Sequence, residues 1–187
     1  MLLKRRPPRI ENRPVETRKG FEHLDLDALA VLRWLKANKV EFVLVGQVAE
    51  AIRGRIGVRG PVSIVPAPYR RNLERLARAL DSADACIRLD GAGITGEADT
   101  TPTRLTGEKL ARGQLWTLRC GSHDLDIEGH APGIPSYQDL LYEASRFDPA
   151  ADVSAEVASP EDIEHYAHLR RTGSAPEITI TRATTSS

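Results

Sequence analysis

The chain has only two cysteines in 187 residues, Cys86 and Cys120, and no CxxC spacing. That scarcity excludes a disulfide-stapled scaffold and a cysteine-based metal centre, and it suits reduced thiols in a cytoplasmic protein. No apolar run approaches the ~20 residues that span a bilayer. Met1-Leu2-Leu3 is too short for the apolar core of a secretory signal. No membrane partner is therefore expected. Net charge is also missing, since 26 Lys and Arg balance 26 Asp and Glu. The molecule as a whole is not built to coat nucleic acid or an anionic membrane. There is no Walker loop and no GxGxxG, so two familiar glycine-rich phosphate cradles are excluded. Aromatics make up 5% of the chain, and Trp34 and Trp116 read as anchors of a core or an interface.

What is present suits one globular domain, with 41% hydrophobic and 28% charged residues. The charge is unevenly placed. Residues 1–20 carry Lys4, Arg5, Arg6, Arg9, Arg13, Arg18 and Lys19 against Glu11 and Glu16. With Pro7, Pro8 and Pro14 and no periodicity, residues 1–22 read as a flexible basic arm. Such an arm can touch an acidic partner or nucleic acid. The domain proper falls at 23–173, and the polar, Thr-rich residues 174–187 read as a flexible tail.

Along the domain, Asp25 is placed to cap a helix over Leu26–Ala37, with Asn38 as a left-handed stop. The mostly apolar run Val40–Val45 reads as a strand ending at Gly46-Gln47, followed by a short helix from Val48 to Arg53. Pro61–Val65 is a second strand. A helix over Pro68–Ala83 buries Leu73, Leu76, Ala77 and Leu80 and turns Arg70, Arg71, Arg75 and Arg78 outward. Cys86–Leu89 reads as a short strand and Asp90–Gly107 as a loop. Leu115–Leu118 and Leu125–Ile127 form an antiparallel hairpin across Gly121-Ser122. Tyr137–Ala144 is a helix capped by Ser136, Val153–Val157 an edge strand, and Pro160–Arg171 a helix capped by Ser159 and ended by Gly173. Strands interleaved with helices, one pair antiparallel, imply an α/β fold with a mixed sheet flanked by helices.

The stretch 39–80 organises the chain. A strand that feeds a glycine and a helix start can hold an anion with its free N–H groups. Arg53, Arg55 and Arg59 gather around the same turn, where they can clamp a phosphate or pair with carboxylates. Farther on, Asp124, Asp126 and Glu128 alternate with Leu125 and Ile127. That pattern describes the solvated face of a half-buried strand. The same three carboxylates can form a rudimentary cation site, with His123 or His130 nearby. His165 and His168, at i and i+3, lack a third ligand.

These segments resemble the nucleotidyltransferase-fold superfamily, in its small bacterial, minimal and toxin–antitoxin-related form. In such proteins a strand ends in Gly-Gly or Gly-Ser, the next strand carries Arg-x-Thr-x-Asp-x-Asp, and a later strand supplies a third acid. FVLVGQVAEAIRG (42–54) resembles the first part, and VRGPVSIVPAPYRRNLERLARAL (58–80) the second. RLTGEKLARGQLWTLRCGSHDLDI (104–127) resembles the segment bearing the third acid. IPSYQDLLYEAS (134–145) and VASPEDIEHYAHLRRTG (157–173) resemble the end of the domain. The resemblance implies a nucleotidyltransferase-like fold. It also implies two divalent metals beside a nucleoside triphosphate, held by carboxylates that share one side of a strand.

Here the sequence departs from the family's pattern. With Arg59 at the motif arginine, Ser63 stands at the first Asp position and Val65 at the second. Gln47 replaces the second Gly or Ser, and no acidic residue lies between Glu50 and Glu74. Asp126 matches the third acid, so it is the candidate catalytic and metal-binding residue, with Asp124 as a weaker metal ligand. Gly46, Gln47 and Arg59 are the candidate nucleotide contacts. The expected function is therefore a catalytically degenerate domain, a pseudoenzyme that binds a partner protein or a second copy of itself, with residual nucleotide binding. The alternative is an active transferase that uses Mg²⁺, a nucleoside triphosphate, Asp124, Asp126 and Glu128.

Overall fold

The structure is a computed structural model that describes residues 6–11, 13–88 and 104–173. It is a mixed α/β fold whose described residues form seven strands and six helices. In chain order these are α1 (Leu26–Ala37), β1 (Phe42–Val45), α2 (Gly46–Ile52), β2 (Val62–Pro66), α3 (Arg70–Ser82), β3 (Cys86–Ile87), α4 (Gly107–Ala111), β4 (Trp116–Cys120), β5 (His123–Ile127), α5 (Tyr137–Glu143), β6 (Ser145–Ala150), β7 (Val153–Val157) and α6 (Pro160–Thr172). One sheet runs β3-β4-β5-β2-β1-β7-β6. The β1–β2, β3–β4, β4–β5 and β6–β7 pairs are antiparallel, and β1–β7 and β2–β5 are parallel.

All four residues of β1 are buried, which explains its unbroken apolar sequence, since a central strand is covered on both faces. Helix α1 forms because Asp25 caps it, its side chain accepting from the Asp27 N–H. It buries Leu29, Leu32, Trp34 and Leu35 and packs on β2, β5 and β7. The polar Asn72 of α3 is almost fully buried because it stitches β1 to β2. Its amide oxygen accepts from the Glu41 N–H at 2.8 Å, and its NH₂ donates to the carbonyls of Glu41 and Ala67. Helices α5 and α6 begin on Ser136 and Ser159, each accepting from the third helical N–H. Gly173 ends α6 at φ 71°. No helix among the described residues is long and apolar enough to cross a membrane.

Several expectations change. The left-handed residue after α1 is Lys39, at φ 56°, and not Asn38. Pro68 precedes the α3 cap residue Tyr69 and so lies outside the helix. Strand β7 is internal, lying between β1 and β6. The true edge, β6, carries Asp148 and Pro149 and has a register shift between Phe147 and Ala150, so its sequence shows no alternation. Gly107 starts a helix instead of ending a loop, because Thr106 caps it. Leu89, residues 90–103 of the expected loop and residues 174–187 of the expected tail lie outside the described residues.

Of the expected flexible basic arm, residues 1–5 and 12 lie outside the described residues, while Pro8, Ile10, Val15, Thr17 and Arg18 touch the body. Trp34 and Asn38 both donate to the Pro8 carbonyl at 3.1 Å. Val15 is buried, Thr17 bridges Ala150 on the β6 edge, and the Arg18 N–H donates to the Pro149 carbonyl at 2.8 Å. These contacts combine backbone bonds with scattered apolar residues, Ile10, Val15 and Phe21, and leave no hydrophobic period to read.

Candidate functional site

A cavity of about 380 Å³ opens where β1 passes into α2. Its lining comes from the α2 start (Gly46, Gln47, Glu50), β2 and its approach (Pro61, Ser63), β5 and the residue after it (Asp126, Glu128), Arg88, and the second half of α6. Gly46 is required there twice over. Its φ is 69°, and a Cβ at this position would sit 2.8 Å from Ser63 Oγ. The chain turns from strand to helix in direct contact with β2. The Gln47 side chain in turn covers Gly60, where a Cβ would overlap it.

Ser63 and Asp126 are direct partners across the parallel β2–β5 pair. Both are buried, at 5% and 1% exposure. Glu128, on the same side by alternation, is 7% exposed, and its N–H donates to the Ile64 carbonyl. The reading of Asp124, Asp126 and Glu128 as a solvated face is thus corrected. Asp126 and Glu128 point under α6, and only Asp124 stays near solvent. Asp124 accepts two bonds from Arg119, at 2.9 and 3.2 Å, and does not line this cavity.

The two buried carboxylates meet two arginines. Arg88 Nη2 donates to Asp126 Oδ1 at 3.1 Å, and its Nη1 lies 3.4 Å from Asp124 Oδ2. Arg170 of α6 is inserted between the acids, with Nη2 at 2.9 Å from Asp126 Oδ2 and 2.7 Å from Glu128 Oε1. Its Nε reaches both Glu128 oxygens at 3.2 Å. Both oxygens of Asp126 therefore accept from guanidinium groups. Burial raises the Glu128 carboxyl above its ordinary pKa, although the hydrogen bond and charge of Arg170 pull it back. Burial works against the charge of Arg170, but bonding to Glu128 and the field of Asp126 outweigh it and keep the guanidinium protonated. Burial, then the nearby Glu128 charge, pushes the Tyr166 phenol up. It stays protonated and donates to the Pro135 carbonyl at 2.9 Å.

The remaining candidates scatter. Val65 does not line this cavity but a second, neighbouring one with Pro66, Pro68 and Tyr137. Arg59 is exposed and lines neither. Arg53 is structural: it donates to the Ala158 and Val157 carbonyls and lies 5.4 Å over the Phe147 ring. Arg55 pairs with Glu50 at 2.9 Å. His130 is exposed, whereas His123 is buried with Nδ1 3.6 Å from Asp27 Oδ1. Among the described residues no group of three His, Cys, Asp or Glu can hold a metal. Both cysteines are free, and burial pushes Cys120 up to about 12.

Chemically, the cavity is a charge-compensated box. Its acids already have internal cations, and Ser63 offers one neutral hydroxyl. Sequence reasoning missed Arg88 and Arg170. A signal for Arg170 existed: Ile163, Tyr166 and Arg170 fall at i, i+3 and i+7, so this arginine lies on the face of α6 that its buried residues define. A charge at the end of such a face is placed to reach an acidic partner. Comparison of the chain with protein-family models and with curated proteins returns no match.

Proposed function

We propose that this chain is a catalytically degenerate nucleotidyltransferase-like domain, a cytoplasmic module that acts through a protein partner and keeps at most residual nucleotide affinity. The observation that carries the reading is the state of Asp126. It lies directly opposite Ser63, the position where the resembling family has its first strand carboxylate. Two metals beside a triphosphate need several hard, negatively charged ligands. Here Ser63 and Val65 supply none, and the one matching acid is engaged by Arg88 and Arg170. Permanent cations sit where exchangeable ones would be needed.

A metal-dependent transferase is the second reading. One observation favours it: Asp126 and Glu128 share a cavity with Gly46 and Ser63. It requires a divalent cation to displace Arg170, and it loses Asp124, which lines a different surface. The test is pyrophosphate release from ATP, CTP, GTP and UTP with Mg²⁺ or Mn²⁺. The degenerate reading expects none above buffer. Turnover that disappears in Asp126→Asn would establish the second reading instead.

A further inference from the structure

Helix α6 is fastened differently at its two ends. Its buried residues, Asp162, Ile163 and Tyr166, all lie in the first half. There the Ser159 cap, the core and the Tyr166 bond to Pro135 hold it. Beyond Tyr166 no residue is fully buried. Leu169 packs only partly on the core, and Arg171 makes a surface pair with Glu164. Among the described residues, the ion pairs that join this half to the sheet are those of Arg170 with Asp126 and Glu128. The Arg170 side chain keeps 31% of its surface, whereas the two acids keep 2% and 4%. Residues Ala167, Arg170 and Arg171 form one wall of the cavity that holds Gly46 and Ser63.

We propose that the second half of α6 is a latch: the Arg170 guanidinium, seated between Asp126 and Glu128, holds this wall shut over Ser63, and its release opens the cavity. The inference builds on the proposed role of this cavity and names what governs access to it. A segment with few buried apolar contacts opens locally at lower free energy than the core. Here the segment carries one two-pronged ion pair to the buried acids. Removing the cation takes from two buried carboxylates the guanidinium they share, an unfavourable change that hydration by opening relieves. Among the described residues, the ionisable groups that line the cavity with Arg170 are Asp126 from β5, Glu128 just after it, Arg88 just after β3, Glu50 from α2, and Tyr166 and Arg171 from α6 itself.

The test is thiol accessibility. Ser63→Cys in a Cys86→Ser background puts a probe on the cavity floor, and buried Cys120 reports any global opening. Adding Arg170→Ala is expected to raise the rate of disulfide-reagent labelling of the introduced thiol about tenfold or more, with Cys120 unchanged. Methylguanidinium in solution should slow the labelling again. Glu164→Ala, which breaks the surface pair from the side that does not line the cavity, should not change it. Arg170→Lys keeps the charge but loses the fork, and it should label at an intermediate rate even if the alanine variant fails to fold. Labelling at the parental rate in both Arg170 variants overturns the latch, as does a parallel rise at Cys120. No nucleotide or metal enters the experiment. Its failure leaves the degenerate-transferase reading intact, and metal-dependent turnover would leave the latch intact.

Discussion

Ser63 and Asp126 face each other across a parallel strand pair, and one of the two is not an acid. Restoring the missing charges tests what that pairing means. In Ser63→Asp with Val65→Asp, the new carboxylate at 63 is buried beside Asp126, so Tm without divalent ions should fall. Mn²⁺ or Mg²⁺ should then raise it by mass action, while wild-type Tm stays indifferent. A variant that ignores both metals would mean that the site geometry does not follow the family's.

Gly46→Ala should destabilise by about 2–4 kcal/mol, combining a left-handed backbone with overlap on Ser63. Adding Ser63→Gly removes the overlap but not the backbone strain, so only part of the loss should return. Urea unfolding of the single and double variants separates the two contributions.

Asn72→Ala leaves the Glu41 N–H and the carbonyls of Glu41 and Ala67 without their side-chain partner. The expected loss is about 2–3 kcal/mol. Because the stitch lies at the far end of β1 from Gly46, the cavity should keep its labelling behaviour.

Much of this frame is legible in the sequence. The cap at Asp25, the apolar β1, the Gly46 turn, the outward arginines of α3, the hairpin at Gly121 and the capped α6 all follow from local rules. Each depends on neighbours in the chain. What escapes depends on distant partners. Edge strand β6 contains Pro149 and has no period, and the N-terminal segment docks through carbonyls. Asp126 and Glu128 alternate as any solvated face would, and the arginines that engage them, Arg88 and Arg170, lie far from them in the chain.

The two thiols should differ sharply. Cys86 is part-exposed, and Cys120 is buried with its pKa pushed up to about 12. At pH 8 iodoacetamide should modify Cys86 and spare Cys120 until denaturant is added. Mass spectrometry of the native and unfolded protein reads this directly.

Glu128 carries a pH signature of unusual sign. Its native pKa is raised by burial, so the folded state binds a proton more readily than the unfolded state. Its contribution to stability is fullest below the ordinary glutamate range and declines as pH rises through the raised native value. The difference in Tm between wild type and Glu128→Gln should therefore shift in favour of the variant as pH rises through that window. A difference that is constant with pH contradicts the assignment.

The central claim is that Asp126 serves internal arginines and not exchangeable metal. Calorimetric titration with ATP, CTP, GTP and UTP, each with Mg²⁺ or Mn²⁺, tests it most directly when run on wild type and Asp126→Asn. The account predicts no metal-dependent heat that the substitution removes. Tight, metal-dependent binding in wild type that vanishes in Asp126→Asn would contradict it.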